Sequence, residues 1–463
     1  MERIFLIQAY QGRKEPFGAI FPIGLCYIAT PLTAMGKEVA IFDMNTADEP
    51  YGELEQAIRD FKPDIIGYSL RNIDTQNRYD PWYYFDFTSP TLQIAQKAAP
   101  SVPIIVGGTG FSLFPDKIMD RCPEIDIGVL HEGEDTFPDI LENLDNLGEV
   151  KGIYYRDNGE IKFTGDRVLP PFEEIKFPRR EYLDLQKYPL DNFAIGILSK
   201  RGCPLRCSYC NYPFLNGEKI RRSPVENVVD EIEYLINDFG INEFMFVDGV
   251  FNAPKKHAMQ ICQEIIDRGL NVRWKAWCDI KHFTDDFMDL AYAAGCRAVT
   301  FSPDGASDEA LEAMQKGITV KNIQESFRIV RRFKDVTVGY GFFGMVPGQT
   351  FMGVMKTIYM FFKFNLMLYP RGGAHIGRIR IEPATNILEV ALKEGFIDED
   401  TELLPRDPAE IKNLFYDRPH LWFADWLMSL AIFAMKDIAK PTFRVLKRFI
   451  KRRPPGGPVS DPV

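Results

Sequence analysis

The 463-residue sequence lacks the features of a membrane span, a secretory leader or a nucleic-acid-binding surface. No run of 18 or more apolar residues occurs, so we predict no transmembrane helix. The apolar stretch at residues 3–9 has only the length of a β-strand, so we predict no signal peptide. The formal net charge of −10 argues against nucleic acid as the main partner, because phosphate binding needs a basic surface.

Disulfide bonds are not expected either. Outside one compact triplet, the cysteines are scattered through mostly apolar segments, where cysteine usually behaves as a small buried hydrophobe. These residues are Cys26, Cys122, Cys262, Cys278 and Cys296. Free thiols of this kind predict a protein of the reducing cytoplasm.

The triplet consists of Cys203, Cys207 and Cys210, a Cys-x3-Cys-x2-Cys array that follows an apolar run at 193–199. Three thiolates on one short loop can hold three irons of a cubane [4Fe–4S] cluster, whereas ordinary electron-transfer clusters take four protein ligands. The fourth iron is then open to a substrate or cofactor. A zinc site is the alternative, but structural zinc needs four ligands in paired arrangements, and no second pair stands nearby.

The array, with Tyr209 just before its last cysteine, resembles the signature of the radical S-adenosylmethionine (SAM) superfamily. The resemblance implies that the three cysteines ligate the cluster and that SAM chelates the open iron. It also implies that one electron from the cluster cleaves SAM to a 5′-deoxyadenosyl radical. An external electron donor, such as a flavodoxin or a ferredoxin, is then required.

The length predicts two or three domains, which we place at 1–150, 185–385 and 386–463, with a linker at 151–184. In the first domain, short apolar runs alternate with amphipathic stretches, a pattern typical of an α/β fold with a doubly wound parallel sheet. The predicted strands are 4–9, 39–43, 65–69, 104–106 and 127–130. Ligands of such sheets bind beyond the carboxyl ends of the strands.

Four segments of this domain resemble the cobalamin-binding domain that precedes many radical SAM domains. They are residues 17–43, Asp-Ile-Ile-Gly-Tyr-Ser at 64–69, Val-Gly-Gly-x-x-x-Ser at 106–112 and Glu-Gly-Glu-Asp-Thr-Phe at 132–137. The resemblance implies a cobalamin site at the strand ends. The residues concerned are Ser69, Leu70, Arg71, Gly107, Gly108, Thr109, Gly133 and Glu134.

The Asp-x-His-x-x-Gly motif, whose histidine ligates cobalt in many cobalamin proteins, is missing from this domain. Cobalamin is therefore expected to bind without a protein histidine on cobalt. Arg71 has two interpretations: a cation beneath the corrin, or a partner of a carboxylate such as Asp74. The long aromatic loop at 72–88 is predicted either to cover the corrin edge or to form a satellite hydrophobic cluster.

Six strand-like runs separated by helices predict a partial (β/α)6 barrel in the second domain, with its active site at the carboxyl strand ends. The runs are 194–199, 243–248, 271–278, 298–302, 336–343 and 375–382. Comparison with radical SAM barrels implies SAM contacts at Tyr209, Asp248, Ser302 and Asp304. Capping of the following helix is the alternative function for the segment at 304–310.

Arg378 and Arg380 alternate with isoleucines at the end of the last predicted strand, so their side chains share one face. If that face lines the barrel interior, both arginines could bind a carboxylate or phosphate of the substrate. If it lies outside, they are solvated charges. The pattern alone leaves both interpretations open.

The third domain is predicted to be a helical segment. Residues 436–453 contain eight Lys or Arg against one Asp, a composition that fits either a helix on an anionic membrane surface or a helix packed on the barrel with a solvated basic edge. The last ten residues are predicted to be disordered. The basic, aromatic C-terminal segment of an otherwise acidic chain favours a lipid or another hydrophobic small molecule as substrate.

Taken with its resemblances, the sequence predicts a cobalamin-dependent radical SAM enzyme that methylates an unactivated carbon or another poor nucleophile. The resemblance implies that one SAM supplies the methyl group by way of cobalamin and that a second SAM supplies the radical. Ring rearrangement, cyclisation or oxidation without methyl transfer is an alternative. A non-catalytic iron–sulfur regulatory or binding protein is the alternative of another class.

Overall fold

Two parallel sheets follow one another along the chain in the computed structural model, which describes residues 2–12, 19–189 and 193–439. The first sheet has the strand order β2-β1-β3-β4-β5-β6-β7. Its strands are β1 (Arg3–Gln8), β2 (Glu38–Asp43), β3 (Ile65–Ser69), β4 (Ile104–Gly107), β5 (Ile127–Val129), β6 (Ile153–Asp157) and β7 (Glu160–Phe163). Its helices are α1 (Ile23–Ala34), α2 (Pro50–Phe61), α3 (Thr88–Ala98), α4 (Thr109–Leu113), α5 (Pro115–Arg121) and α6 (Thr136–Glu142).

Strands β1 to β5 confirm the predicted doubly wound parallel sheet. Alternate residues of β1 enter different apolar clusters: Ile4 and Leu6 belong to one, and Phe5 and Ile7 to the other. Both faces of the strand are therefore buried, which explains its continuous apolar run. The strand order reverses on either side of β1, the point at which open α/β sheets bind ligands.

The hairpin of β6 and β7 adds two antiparallel strands to this sheet, within the stretch 151–184 that we predicted to be a linker. Its turn is Asn158-Gly159, and both residues have positive φ, 51° and 89°. Asn-Gly is a strong hairpin signal because type I′ turns need positive φ at both central positions. The Asn158-Gly159 pair was therefore a sequence signal for a hairpin in the stretch predicted to be a linker.

The second sheet has six parallel strands in the order β15-β14-β13-β12-β11-β8, as expected of a partial barrel. These strands are β8 (Gly196–Ile197), β11 (Glu243–Phe246), β12 (Arg273–Trp277), β13 (Cys296–Asp304), β14 (Thr337–Phe343) and β15 (Gly372–Gly377), and a separate short pair consists of β9 (Lys200–Arg201) and β10 (Arg221–Arg222). The helices are α7 (Tyr212–Asn216), α8 (Val225–Phe239), α9 (Lys255–Asp267), α10 (Asp285–Ala293), α11 (Asp308–Ala313), α12 (Val320–Val330) and α13 (Phe351–Leu368).

The last barrel strand ends five residues earlier than predicted, at Gly377 instead of residue 382. The residues that follow keep a period-two pattern because Ile379 and Ile381 are buried in a separate apolar cluster. Their backbone makes only an isolated bridge, from Arg380 to Phe415. An alternating pattern therefore marked an extended, half-buried segment and not a strand of the barrel sheet.

The described C-terminal residues connect both domains. Helix α14 (Asn386–Lys393) packs beside the cysteine loop, where the Ile387 backbone N–H donates to Ser208 O at 2.7 Å. The chain then returns to the first domain, where Tyr83 donates to Pro405 O at 2.8 Å, and ends its described part after α15 (Trp422–Phe433). Residues 440–463, which include most of the basic segment and the whole predicted disordered tail, lie outside the described residues. In the described ranges, every helix is too short or too polar to cross a bilayer.

A buried ion network joins the two domains. Glu132 and Glu134 follow β5, and Arg201 and Arg221 lie on the β9–β10 pair. Arg201 contacts Glu134 at 2.5 Å and Glu132 at 3.0 Å, and Arg221 also pairs with Glu132. The side chains of Arg201 and both glutamates are less than a tenth exposed. Because an unpaired buried charge is costly, each side of this network requires the other.

Substitution of Arg201 by Met is expected to destabilise the protein by about 3–5 kcal/mol, because two buried carboxylates lose their shared cation. The measurement is urea unfolding of Arg201→Met followed by tryptophan fluorescence, with a lower midpoint expected. Arg206→Met is the matched control, since the Arg206 and Glu218 side chains are 74% and 66% exposed. Equal midpoints for the two variants would contradict a role of the network in stability.

Candidate active site

The carboxyl strand ends of the two sheets face each other. The ring of His131, which follows β5, packs against Phe214 of α7 with centroids 4.9 Å apart. Glu382 accepts from Gln76 Nε2 of the first domain at 2.7 Å and from Asn211 Nδ2, next to Cys210, at 2.6 Å. The predicted cobalamin rim and the predicted cluster loop therefore border one space.

Backbone hydrogen bonds hold the cysteine loop at the barrel mouth. The Cys203 N–H donates to Gly217 O at 3.0 Å, and the Cys210 N–H donates to Cys207 O at 3.0 Å. The Ser208 N–H donates to Met314 O at 3.0 Å. The loop thus has a defined conformation that the protein alone maintains.

The three thiols lie close enough to influence one another electrostatically. Burial, and then the thiols of Cys207 and Cys203, raise the pKa of Cys210 to about 12. Among the described residues, no three His, Cys, Asp or Glu side chains are grouped as ligands of a single metal ion. A cubane does not require such a group, because each of its thiolates binds a different iron. The donor set therefore fits a [4Fe–4S] cluster with one open iron.

Tyr209 and Asp304, both predicted to contact SAM, form a buried cluster with Lys316. Tyr209 donates to Asp304 Oδ2 at 2.5 Å, and Lys316 Nζ lies 2.5 Å from the same oxygen. Asp304 and then Cys207 raise the pKa of Lys316 against the effect of its burial. Lys316 was missed by the sequence analysis, although it lies in the segment that follows Asp304 closely. The cluster ties the cysteine loop to the end of β13.

Two further predictions about SAM contacts have different outcomes. Asp248 is buried, and its two carboxylate oxygens accept from Ser199 and Lys200, with Lys200 Nζ at 2.8 Å. This pairing contradicts the predicted contact of Asp248 with the SAM amino group. The hydroxyl of Ser302 has no hydrogen-bond partner among the described residues and remains a predicted SAM contact. Ser307 caps α11 by accepting from the Ala310 N–H, so the predicted capping is also present.

Neighbouring strands place the predicted cobalamin residues together, since Ser69 pairs with Gly107. Four of these residues have structural roles. A Cβ at Gly108 would lie 2.6 Å from Leu70 O, and one at Gly133 would lie 2.7 Å from an Ile28 methyl. Leu70 is fully buried, and Glu134 forms an ion pair with Arg201. These packing roles do not test a contact of the four residues with cobalamin, which stays a prediction at each position. Ser69, Arg71, Gly107 and Thr109 remain predicted contacts.

Arg71 does not pair with Asp74. Asp74 instead contacts Arg380 at 3.2 Å, and the Arg71 side chain has no hydrogen bond or ion pair with any described residue. Arg71 is exposed to solvent, yet desolvation by the surrounding protein lowers its pKa. This combination is that of a cation lining a crevice. The aromatic loop after it packs in the first domain, where Tyr83 and Phe85 are buried in a main apolar cluster of the sheet and not in a satellite cluster. A cover of the corrin edge by this loop stays a prediction.

Arg378 and Arg380 are neither solvated nor free to bind a substrate. Both are buried, and both have carboxylate partners. Arg378 pairs with Asp425 and lies 3.6 Å from Asp417, while Arg380 pairs with Asp74. The structure therefore contradicts both interpretations left open by the sequence.

The concave face of the barrel contains two other basic groups, Lys275 and His375. On β12, Trp274 and Ala276 are buried among the helices, so the intervening Lys275 points to the concave side. Lys275 has no hydrogen bond or ion pair with a described residue, and desolvation lowers its pKa. His375 occupies the same face of β15, where desolvation lowers its pKa as well.

Glycines keep this concave face open. A Cβ at Gly339 would meet only Thr300, at 3.5 Å, and one at Gly377 would meet only Phe343, at 3.8 Å. These are ordinary contact distances, so the packing of the protein does not require glycine at either position.

Comparison with known proteins identifies both domains. The family description "B12 binding domain" matches residues 15–141, and "Radical SAM superfamily" matches residues 197–358. The uncharacterized methyltransferase PH0819 of Pyrococcus horikoshii is 30% identical over 342 residues, 73% of this chain and 72% of the relative. The cytidylyl-2-hydroxyethylphosphonate methyltransferase of Streptomyces wedmorensis is 24% identical, with 89% of this chain and 84% of the relative covered.

A solved structure has the same fold. It is the radical SAM methyltransferase TsrM of Kitasatospora setae with tryptophan and a SAM analogue bound, with a TM-score of 0.79 at 21% identity over 95% of this chain and 90% of that one. Both family descriptions match in the order that the two sheets follow, and the identity to PH0819 extends over most of the chain. The chain therefore belongs to the family of cobalamin-dependent radical SAM enzymes related to these methyltransferases, and its cofactors are cobalamin, a [4Fe–4S] cluster and SAM.

Proposed function

We propose that this enzyme methylates an unactivated carbon of a small molecule that carries an anionic group. The observation that supports this most directly is the shared space between the two sets of strand ends, bridged by Glu382 from Gln76 to Asn211. When bound, cobalamin supplies a methyl carrier, and the cluster with SAM supplies a radical. Both must reach the same substrate carbon, which this arrangement allows.

The residues of the chain hold these groups and exclude water. Cys203, Cys207 and Cys210 ligate three irons, while Tyr209 and Lys316 fix the loop that carries them. Ser302 offers a hydroxyl to SAM from the concave face of β13. In the first domain, Ser69, Gly107 and Thr109 border the corrin.

Arg71 would border the cobalamin site from the end of β3 in this proposal. A guanidinium is always charged and does not ligate a metal, so Arg71 would supply a positive charge to the site and no metal ligand. The absence of a protein partner for Arg71 among the described residues supports this role.

Lys275 and His375 bind the anionic group of the substrate. Lys275 is half-buried, and the described residues provide no carboxylate partner for it, so an anionic group of the substrate would offset the cost of its desolvation. The names of two relatives include a substrate with an anionic group. One is cytidylyl-2-hydroxyethylphosphonate, which has phosphorus oxyanions, and the other is tryptophan, which has a carboxylate. An electron donor such as a flavodoxin or a ferredoxin completes the proposed system.

Methyl transfer predicts that a label in the methyl group of SAM reaches a product. The reconstituted enzyme is incubated anaerobically with methyl-deuterated SAM, a reductant and a small-molecule extract, and products are analysed by mass spectrometry. We expect a deuterated methyl group in one product. The variant with Cys203, Cys207 and Cys210 replaced by Ala is expected to lose its iron and form no product, whereas Cys122→Ala retains both. An unlabelled product formed along with 5′-deoxyadenosine would favour rearrangement or oxidation, and failure to cleave SAM would favour a non-catalytic protein.

Arg71→His is expected to introduce a lower ligand to cobalt, because neutral imidazole is a good metal ligand. The measurement is electron paramagnetic resonance of bound cob(II)alamin, in which nitrogen coupling is expected for the variant and not for the wild type. Arg78→His is the control, since Arg78 pairs with Asp417 at 2.8 Å. Cobalamin-loaded Arg71→His with an unchanged spectrum would place Arg71 away from cobalt.

Lys275→Met is expected to raise the KM for the substrate found by labelling about 10- to 100-fold, because a hydrogen bond to a charged group contributes about 1.5–3 kcal/mol. The kcat should change much less. Lys255→Met is the control, since Lys255 pairs with Asp286 at 2.6 Å on the surface. A raised KM for SAM with an unchanged substrate KM would assign Lys275 to SAM instead.

A further inference from the structure

Helix α15 presents its large apolar side chains to solvent and its small or flexible ones to the protein. The inner stripe of α15 consists of Ala424, Met428 and Ala431, and it continues at Met435 just after the helix; all four are at most 6% exposed. The outer face contains Trp422, Phe423, Trp426, Leu430 and Phe433, which are 48–71% exposed. A surface helix normally buries its large apolar residues, whereas α15 exposes five of them to solvent.

The neighbouring helix α13 extends the same surface. The two helices pack against each other. The outer side of α13 exposes Phe351, Met352, Tyr359, Leu366 and Met367 by 43–62%. We call these outer sides of α13 and α15 the apolar face. Ten large apolar side chains exposed on two helices that pack together are more than a folded protein normally leaves in water, which indicates a binding partner.

The charges around the apolar face are basic. Helix α13 contains Lys356 and Lys363 and no acidic residue. The one carboxylate of α15, Asp425, pairs with Arg378. Glu309 contributes an exposed carboxylate within electrostatic reach of Lys356, so the basic excess of this region comes mainly from the sequence after α15.

The sequence that follows α15 continues this basic character. Residues 436–453 contain eight Lys or Arg and one Asp, interspersed with Phe443, Phe449 and aliphatic residues. This composition identifies the chemistry of the partner: apolar enough for aromatic side chains to enter, and negatively charged at its surface. Basic residues next to inserted tryptophans are typical of proteins that lie on anionic bilayers.

We propose that the apolar face is a docking site for the surface of an anionic lipid bilayer. Trp422, Trp426 and Phe433 insert at the level of the headgroups, and Lys356 and Lys363 of α13 contact the anionic lipids. A second copy of the chain fits less well, because it would bring the same basic residues opposite each other. The proposal does not depend on the reaction that the enzyme catalyses.

The test is sedimentation of the full-length, cofactor-loaded enzyme with sucrose-filled vesicles. One set of vesicles is phosphatidylcholine, and the other contains one part phosphatidylglycerol to three parts phosphatidylcholine. We expect binding to the anionic vesicles that weakens as salt is added, since the basic groups are screened. Tryptophan emission is expected to shift to the blue as the outer side chains leave water.

The variant Trp422→Ser/Trp426→Ser/Phe433→Ser is expected to bind the anionic vesicles at least about tenfold more weakly, because binding scales with the apolar area inserted. Phe163→Ser/Val168→Ser removes apolar side chains that are 43% and 90% exposed elsewhere and should bind like the wild type. Unchanged SAM cleavage confirms that a variant is folded.

Three results would overturn the proposal. One is equal, weak sedimentation of the wild type with both kinds of vesicle. The second is a wild-type dimer that the triple variant abolishes, without vesicle binding, which would make the apolar face a contact between copies. The third is vesicle binding that the triple variant retains in full, which would assign binding to another part of the chain.

Discussion

The meeting of the two sets of carboxyl strand ends is the constraint on which the rest of the structure depends. A radical formed at one cofactor and a methyl group carried by the other can reach one carbon only if both domains hold a fixed separation. The chain fixes it with buried charges: Arg201 and Arg221 against Glu132 and Glu134 on one side of the space, and Glu382 on the other. Such pairs contribute little net stability, but breaking one is costly, so they specify a geometry.

Charged residues at the strand ends divide into two groups according to their partners. Asp248 and Arg380 have oppositely charged partners within the protein, and these pairs hold loops in place. Arg71 and Lys275 have no such partner among the described residues. Since a desolvated charge without a partner is unfavourable, this arrangement supports the ligand contacts proposed for both residues. Whether a charged residue has an oppositely charged partner in the protein therefore distinguishes the proposed binding residues better than its position at a strand end does.

Much of the fold was predictable because it depends on local patterns. The five strands β1 to β5 were predicted within one residue at each end, since buried parallel strands are short continuous apolar runs. The cysteine loop was predictable from its spacing alone. The partners of Arg378 and Arg380 were not, because Asp425 and Asp74 lie 47 and 306 residues away in the sequence. A period-two pattern is the same for a barrel strand and for an extended segment packed on a separate cluster, so burial had to be known before those arginines could be interpreted.

The pairing of Arg378 also explains the position of the apolar face. Arg378 comes directly after β15, so its contact with Asp425 places the first turn of α15 beside the barrel mouth. The inner stripe of α15 then needs only small or flexible residues, because Met428 packs over Gly344, where a Cβ would lie 2.7 Å from the Met428 sulfur. Close packing on that side leaves no room for the tryptophans, which must point outward. Arg378, which the sequence suggested as a substrate-binding residue, therefore orients α15 through its pairing with Asp425. The exposure of the aromatic residues of α15 next to the barrel mouth follows from this orientation.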